Sequence, residues 1–141
     1  MVAESKGSEK GLKQVALYKQ PHWRRPIKKI IMIDDHAELL RSLGNALRGA
    51  ILLEECHGVM EAVVAIMTGT PNILLLDHQL SQDGDEGFEV VEWVRKNIPN
   101  IEIFSTTKND KAKKAYAAMG IGWVDKQSLA ELRKFIAEHT Q

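Results

Sequence analysis

Five short apolar stretches alternate along this chain with five segments in which apolar residues recur at the spacing of a helix. A short apolar run bounded by turn residues is typical of a buried strand, and each connection between parallel strands must cross one face of the sheet. The alternation therefore predicts an α/β fold with a parallel sheet covered by helices on both faces. The predicted strands are residues 28–33, 51–56, 72–76, 102–105 and 121–125.

Four of the five helices are predicted from apolar residues spaced three or four apart, which place one face of the helix against the sheet. The fourth helix, about residues 110–119, is polar on most of its surface and carries three lysines. Gly49, Gly69, Pro71 and Pro99 are the expected end signals. The apolar faces comprise Leu39, Leu40, Leu43 and Leu47; Val59, Val63, Ile66 and Met67; Phe88, Val91 and Val94; and Leu129, Leu132, Phe135 and Ile136.

The length of 141 residues fits one domain with a substantial core, preceded by an extension. We expect the domain to comprise residues 27–141. Cys56 is the single cysteine and lies in an apolar stretch, so we expect a buried thiol, no internal disulfide and a reducing compartment. No apolar run approaches the length of a membrane span or a signal peptide, so we expect a cytoplasmic protein.

Residues 1–26 carry six basic residues against two acids, although the whole chain has a net charge of zero. This basic segment also contains an apolar cluster at Leu12, Val15, Leu17 and Tyr18, followed by Trp23. One interpretation is a flexible extension. The alternative is a docking arm that contacts a kinase, a neighbouring subunit or the acidic remainder of the chain.

Five polar residues stand at the ends of four of the predicted strands: Asp34, Asp35, Asp77, Thr106 and Lys126. The carboxyl ends of parallel strands form the crevice in which open α/β folds bind ligands, so we expect these side chains to converge. A carboxylate can attack phosphorus only if the charge of the phosphoryl group is neutralised, which requires a hard cation and a lysine. Oxygen ligands and few protein carboxylates suit Mg²⁺.

This ordered set of residues resembles the receiver domains of two-component response regulators, over about residues 27–138. The resemblance implies a flavodoxin-like fold of (βα)5 type, with strand order 2-1-3-4-5. It also implies that Asp77 accepts a phosphoryl group. Asp35, Asp77 and the backbone carbonyl of Gln79 would bind Mg²⁺ directly, and Asp34 largely through water. Lys126 and Thr106 would then contact the phosphoryl oxygens.

The resemblance further implies which partners the chain has. The phosphoryl donor would be a phosphohistidine on a sensor histidine kinase or a histidine phosphotransfer protein, and the chain would catalyse only its own phosphorylation and dephosphorylation. We expect a single-domain regulator without an output domain, which acts as a phosphorelay intermediate or controls a downstream protein, with no nucleic-acid or membrane partner. The five histidines show no metal-ligand spacing, and we expect them at the surface or in loops: His22, His36, His57, His78 and His139.

The signal would pass, by the same resemblance, through Thr106 and through Trp123, the aromatic residue three before the lysine. In many receivers the hydroxyl moves toward the phosphoryl group and the aromatic ring follows it inward. The other interpretation of Trp123 is packing in the core or at an interface.

The chain departs from the family pattern around the site. The loop 80–87 is two residues longer than usual, with Gly87 in the usual glycine's place, and Gln127 replaces a proline, so the usual cis peptide is either absent or strained. Thr107 replaces a smaller residue, while Gln79 and Lys108 occupy positions that tune the attacking water. We therefore expect slow autodephosphorylation.

Two other functions were weighed. A receiver-like interaction module working without phosphorylation is supported only by the altered loop and Gln127. A hydrolase of the haloacid dehalogenase type is disfavoured, because Gln79 stands where such enzymes carry an acid that protonates the leaving group.

Overall fold

A computed structural model describes residues 28–81 and 84–140, in which five strands alternate with five helices. The elements are β1 (Ile30–Asp34), α1 (Ala37–Leu47), β2 (Leu52–Glu55), α2 (Val59–Gly69), β3 (Ile73–Leu76), α3 (Glu86–Asn97), β4 (Glu102–Ser105), α4 (Asp110–Ala118), β5 (Gly122–Trp123) and α5 (Leu129–His139).

The strands form one parallel sheet in the order β2-β1-β3-β4-β5, which confirms the predicted fold class and strand order. The central strand β3 pairs with β1 through Ile33↔Leu76 and with β4 through Leu76↔Ser105. Because all strands run the same way, the residues that follow β1, β3, β4 and β5 meet at one edge of the sheet. This edge carries the predicted site.

Helices cover both faces of the sheet because alternate residues of the central strands point in opposite directions. Ile31 and Ile33 of β1 pack on the face covered by α2, α3 and α4. Ile30 and Met32 pack on the face covered by α1 and α5. All of β1 and β3 is buried, which explains why their sequences are continuous apolar runs instead of alternating ones.

Most elements lie where the sequence places them, with shifts at their ends. The first strand begins at Ile30, two residues later than predicted, and includes Asp34. The last strand is reduced to Gly122–Trp123, at the sheet edge opposite β2. Helix α4 begins where predicted because the Asn109 side chain caps it, accepting the backbone N–H of Ala112 at 2.9 Å.

The predicted apolar face of α2 is wrong in one member. Met67 was expected against the sheet but is 58% exposed, while Ala62, Ile66 and Gly69 are buried. Apolar residues occupy most positions of this helix, so their spacing did not single out the buried face.

Cys56 is buried, as predicted, and burial raises the pKa of its thiol to about 11. No helix in the described part of the chain is long and apolar enough to span a membrane. The predicted boundary at residue 27 and the extension 1–26 lie outside the described residues, as does His22.

Candidate functional site

Three aspartates converge at the carboxyl edge of the sheet, as predicted. Asp34 ends β1 and is fully buried, Asp35 follows it half-buried, and Asp77 follows β3 and is 8% exposed. One carboxylate oxygen from each of the three lies within 4.8 Å of the others. Like charges this close raise the free energy of the ionised cluster unless a cation neutralises them.

The backbone positions these carboxylates. The Asp77 N–H donates to the Ile33 carbonyl at 3.1 Å, which extends the pairing of β1 and β3 by one residue. The Asp34 carboxylate accepts the backbone N–H of His36 at 3.0 Å, at the start of α1. Both side chains are therefore held by the sheet and its first crossover, not by long loops.

Lys126 supplies a positive charge to this cluster. Its Nζ lies 2.5 Å from Asp34 Oδ2 and 3.3 Å from Asp77 Oδ1, and the lysine is 8% exposed. Burial works to lower the pKa of Lys126, but the hydrogen bond to Asp34 and the charge of Asp77 raise it above its usual range. The side chain is accordingly an ammonium at neutral pH.

Burial raises the pKa of Asp77, since desolvation and the nearby charge of Asp34 outweigh the attraction of Lys126. Lys126 alone therefore does not compensate for the burial of the charged Asp77 carboxylate, which the sequence predicts as the nucleophile. The three carboxylates have the oxygen chemistry and the spacing that a hard divalent cation requires, so the residues present fit Mg²⁺.

The segment after Lys126 is ordered without a proline. The Asp125 carboxylate accepts the backbone N–H of Gln127 at 3.0 Å and lies 3.3 Å from Lys108 Nζ. That hydrogen bond, followed by the Lys108 contact, lowers the pKa of Asp125, although burial acts against it. No peptide bond in residues 28–81 or 84–140 is cis, which answers the question left open at Lys126–Gln127.

Two adjacent threonines after β4 differ in their hydrogen bonding. Thr106 is fully buried, and its Oγ1 has no hydrogen-bond partner among the described residues. Thr107 is also buried, but its Oγ1 accepts the backbone N–H of Asn109 at 3.1 Å. A buried hydroxyl without a hydrogen-bond partner costs free energy. The Thr106 hydroxyl is therefore available to donate a hydrogen bond to a ligand.

The three aspartates and Lys126 line a cavity of about 730 Å³ that opens at the carboxyl edge, whereas Thr106 is buried and is not part of the lining. Its lining includes all of the predicted charged residues and Gln79, whose backbone carbonyl was expected to bind the metal, together with Thr107 and Lys108. Leu80 and Ser81, from the lengthened loop, form part of the wall.

The comparisons with known proteins agree with this geometry. The family model of the response regulator receiver domain matches residues 30–136. The chain belongs to this receiver-domain family. No curated protein matches the sequence.

Solved receiver structures show the same fold at low sequence identity. The chain resembles the signal receiver domain of a DNA-binding response regulator from Colwellia psychrerythraea, with TM-score 0.63 and 19% identity over 79% of this chain and 96% of that one. The response regulator TrrA of Thermotoga maritima, solved with Mg²⁺ and BeF, gives TM-score 0.63 and 20% identity over 79% and 98%. RcsB of Salmonella typhimurium gives 0.63 and 20% over 80% and 60%.

Residue His78 of the receiver domain lies in a loop, in agreement with the expectation of a surface or loop position, and it is buried there. Its ring bonds the hydroxyl of Tyr116 at 2.7 Å and the Asp85 carboxylate at 3.2 Å. Tyr116 is almost completely buried, and burial raises its pKa well above the usual range. The sequence offered no signal for this contact, because His78 and Tyr116 are 38 residues apart.

A buried acid, Glu86, closes the lengthened loop of the receiver and was also missed by sequence reasoning. It accepts the Leu80 N–H at 3.1 Å and the Ser81 hydroxyl. Desolvation raises the pKa of Glu86, but these hydrogen bonds, with Ser81 foremost, leave it below its usual value. Glu86 is the first residue of α3, and its contacts with the loop depend on the loop conformation, which the sequence alone does not specify.

Trp123 is 36% exposed in the receiver, so the alternative interpretation of core packing does not apply. Its indole N–H donates to the Thr107 carbonyl at 2.6 Å, and Lys113 Nζ lies 3.5 Å from the ring centroid. The proposed pair Thr106 and Trp123 is thus joined through the backbone of one intervening residue.

Proposed function

We propose that this receiver domain, comprising residues 27–141, accepts a phosphoryl group on Asp77 in a Mg²⁺-dependent reaction. The observation that supports this most directly is the cluster of three carboxylates with Lys126 Nζ 3.3 Å from Asp77 Oδ1. The buried and unpaired hydroxyl of Thr106 supports it independently. Cluster and hydroxyl together provide an acceptor, a cation site and two donors to phosphoryl oxygens.

Asp77 acts as the nucleophile. One carboxylate oxygen attacks the phosphorus of a phosphohistidine, the P–O bond forms as the P–N bond breaks, and the histidine nitrogen leaves as the neutral or protonated imidazole. The donor is a histidine on a sensor kinase or a phosphotransfer protein. Mg²⁺, bound by Asp35, Asp77 and the Gln79 carbonyl with Asp34 acting largely through water, supplies charge neutralisation when present.

Lys126 changes partners in this reaction. In the unphosphorylated protein its ammonium is shared by Asp34 and Asp77, at 2.5 and 3.3 Å. Transfer of a phosphoryl group to Asp77 makes the attacking carboxylate oxygen the bridge to phosphorus and adds three charged phosphoryl oxygens, to which the ammonium and the Thr106 hydroxyl donate. The chain therefore catalyses only its own phosphorylation and dephosphorylation, mainly by positioning and electrostatics.

The phosphorylated receiver then acts as a relay intermediate or controls a protein that binds the surface around Trp123. The Trp123 indole contacts the residue next to Thr106, which offers a short route from the site to that surface. The single-domain organisation expected from the sequence stays a prediction.

Mass spectrometry of the intact protein tests the acceptor assignment. Incubation with Mg²⁺ and acetyl phosphate should add one phosphoryl mass to the wild type and to the control Asp110→Asn, whose carboxylate lies exposed at the start of α4. The variant Asp77→Asn and the sample with EDTA should show no addition. No adduct on the wild type, or an equal adduct on Asp77→Asn, would refute the proposal and leave the interaction module as the alternative.

The donor class is tested with purified phosphohistidine proteins. A histidine phosphotransfer protein phosphorylated with its kinase should lose its label to the wild type within the same incubation, and retain it with Asp77→Asn. Labelling by acetyl phosphate but by no phosphohistidine donor would separate the acceptor assignment from the donor assignment.

A further inference from the structure

A second cavity, of about 640 Å³, lies between α2 and the edge strand β2. Its floor is apolar and open to solvent: Leu52 is 43%, Val64 55% and Met60 75% exposed. Glu54, Glu55 and Glu61 also line it. We refer to it as the α2–β2 groove.

The groove has the character of a binding surface. Met67 does not line the groove, but it is three residues beyond Val64 on α2 and therefore lies beside it, at the rim, as a fourth exposed apolar side chain. Exposed apolar residues are normal when scattered, but a contiguous group rimmed by charge is typical of an interaction site. Methionine is common on such surfaces because its unbranched side chain adapts to a partner.

The described chain begins at this groove. Lys29 lines one end, and its Nζ donates to the carbonyl of Gly69, the last residue of α2, at 2.8 Å. The Lys29 N–H is anchored to the Asn72 side chain at 2.7 Å, which fixes the direction in which the chain enters β1. The preceding residues 1–27 are therefore connected covalently to the mouth of the groove.

The chemistry of those residues complements the groove. The segment 1–26 carries six basic residues against two acids, and its apolar side chains are concentrated in residues 12–23. The groove presents three glutamates and a single lysine around an apolar floor, and two of the glutamates are bonded to His57: Glu55 by the ring at 2.7 Å and Glu61 by the backbone N–H at 2.8 Å. Opposite charges and matching apolar surfaces favour association of the two.

The connection is long enough for this contact. Nine residues lie between Tyr18 and Lys28, and the ten Cα–Cα steps span at most about 36 Å when extended. The eleven-residue helix α2 is about 16 Å long, so the apolar cluster can reach any part of the groove. Because the segment and the groove belong to one chain, the effective concentration of the segment is on the order of mM, so even a weak intrinsic affinity suffices.

We propose that residues 12–23 of the same chain dock in the α2–β2 groove, with Leu12, Val15 and Leu17 against its apolar floor and neighbouring lysines facing its glutamates. The segment is then an intramolecular ligand that covers the receiver at the edge strand β2. Trp123 lies at the other edge of the sheet, on β5. A partner protein that binds this edge must first displace it.

Paramagnetic relaxation in the full chain tests the contact. A nitroxide is attached at Met67→Cys, on the rim and outside the lining residues, and at the control Lys114→Cys, exposed on α4. The native thiol is removed as Cys56→Ser in both labelled proteins, because Cys56 also lines the groove. Peak intensities of ¹⁵N-labelled amides are compared before and after reduction of the nitroxide.

The amides of residues 12–23 should lose at least half of their intensity with the label at position 67, and little with the label at position 114. Absence of this loss, or an equal loss with both labels, would overturn the proposal. Docking between copies is detected in a mixture of two proteins, one that carries ¹⁵N but no nitroxide and one at natural isotope abundance that carries the nitroxide. Broadening of residues 12–23 in that mixture would mean docking in a second copy's groove, which would also overturn it.

Charge neutralisation provides a second, independent measurement. Glu54→Gln, Glu55→Gln and Glu61→Gln together should reduce the broadening at least twofold while keeping side chains that accept hydrogen bonds. The matched control neutralises three exposed acids on other elements, Glu89→Gln, Glu92→Gln and Glu102→Gln, and should leave the broadening unchanged. Equal effects of both triple variants would contradict docking in the groove.

Discussion

Replacing Thr106 by valine is expected to stabilise the metal-free receiver. The Thr106 hydroxyl is buried and has no partner among the described residues, and such a group costs about 1–3 kcal/mol. Valine has a similar shape and the same β-branched preference for strands, and it removes the unpaired hydroxyl without opening a cavity. We expect the free energy of unfolding to rise by about 1–2 kcal/mol, which corresponds to roughly 4–8 °C in Tm for a domain of this size.

Urea unfolding in EDTA, followed by circular dichroism, measures this change. Thr107→Val is the matched control, because Thr107 is equally buried but its Oγ1 accepts the Asn109 N–H at 3.1 Å. Loss of that hydrogen bond should lower the free energy of unfolding by about 1 kcal/mol. The two adjacent variants should therefore change stability in opposite directions, at an unchanged m-value.

The same pair of variants separates stability from ligand binding. With Mg²⁺ and beryllofluoride, the wild type should gain stability in proportion to the logarithm of ligand concentration over Kd. Thr106→Val should gain about 1–2 kcal/mol less, because it has no hydroxyl to donate to the bound group. A destabilised Thr106→Val protein in EDTA, or a ligand-induced gain equal to that of the wild type, would refute the reasoning.

Three further outcomes are expected. Asp77→Asn should be more stable than the wild type in EDTA near neutral pH. Burial raises the folded pKa of Asp77 above 3.8, so the wild type loses stability relative to Asp77→Asn as the pH rises from 3.8 through the folded pKa. Urea titrations of both proteins over this pH range would contradict the argument if the difference in their free energies of unfolding stayed constant. Gly87→Ala should lower the free energy of unfolding by about 3 kcal/mol or more, because its Cβ would collide with the Tyr116 hydroxyl and lie 2.8 Å from His78 Cα. A Tm within about 2 °C of the wild type, which is a change smaller than about 1 kcal/mol, would contradict this close packing of Gly87. Thr107→Ala should shorten the lifetime of the phosphoryl group about tenfold by widening access to the cavity, as followed by loss of the phosphoryl mass, whereas an unchanged lifetime would exclude Thr107 as the cause of slow autodephosphorylation.

The sheet and the charged cluster were predictable because each depends on local sequence. The strands β1 and β3 are buried on both faces, so they appear as continuous apolar runs, and the residue after each run must lie at the carboxyl edge. Asp34, Asp77 and Lys126 therefore met as expected, at 2.5 and 3.3 Å from the lysine Nζ. The parallel direction of the strands and the order 2-1-3-4-5, which the resemblance implied, bring them together.

The parts that were not predictable depend on contacts distant in sequence or on an ambiguous pattern. Helix α2 is apolar at most positions, so only its packing against the sheet shows that Met67 lies on the exposed face. The burial of His78 requires the Tyr116 hydroxyl from α4, and no periodicity relates two residues in different elements. The buried carboxylate of Glu86 is likewise stabilised by donors from a loop whose conformation the sequence did not specify.

The hydrogen bond from the Trp123 indole to the Thr107 carbonyl, at 2.6 Å, has a thermodynamic consequence for any partner of that surface. A protein that binds only when this bond is broken must displace the Trp123 indole from the Thr107 carbonyl, and phosphorylation that moves the backbone at Thr106 and Thr107 would change the free energy of the same bond. Coupling free energies are reciprocal, so such a partner would strengthen phosphoryl binding by the same factor by which phosphorylation strengthens partner binding. The partner's concentration would then set the occupancy of Asp77 as much as the donor does.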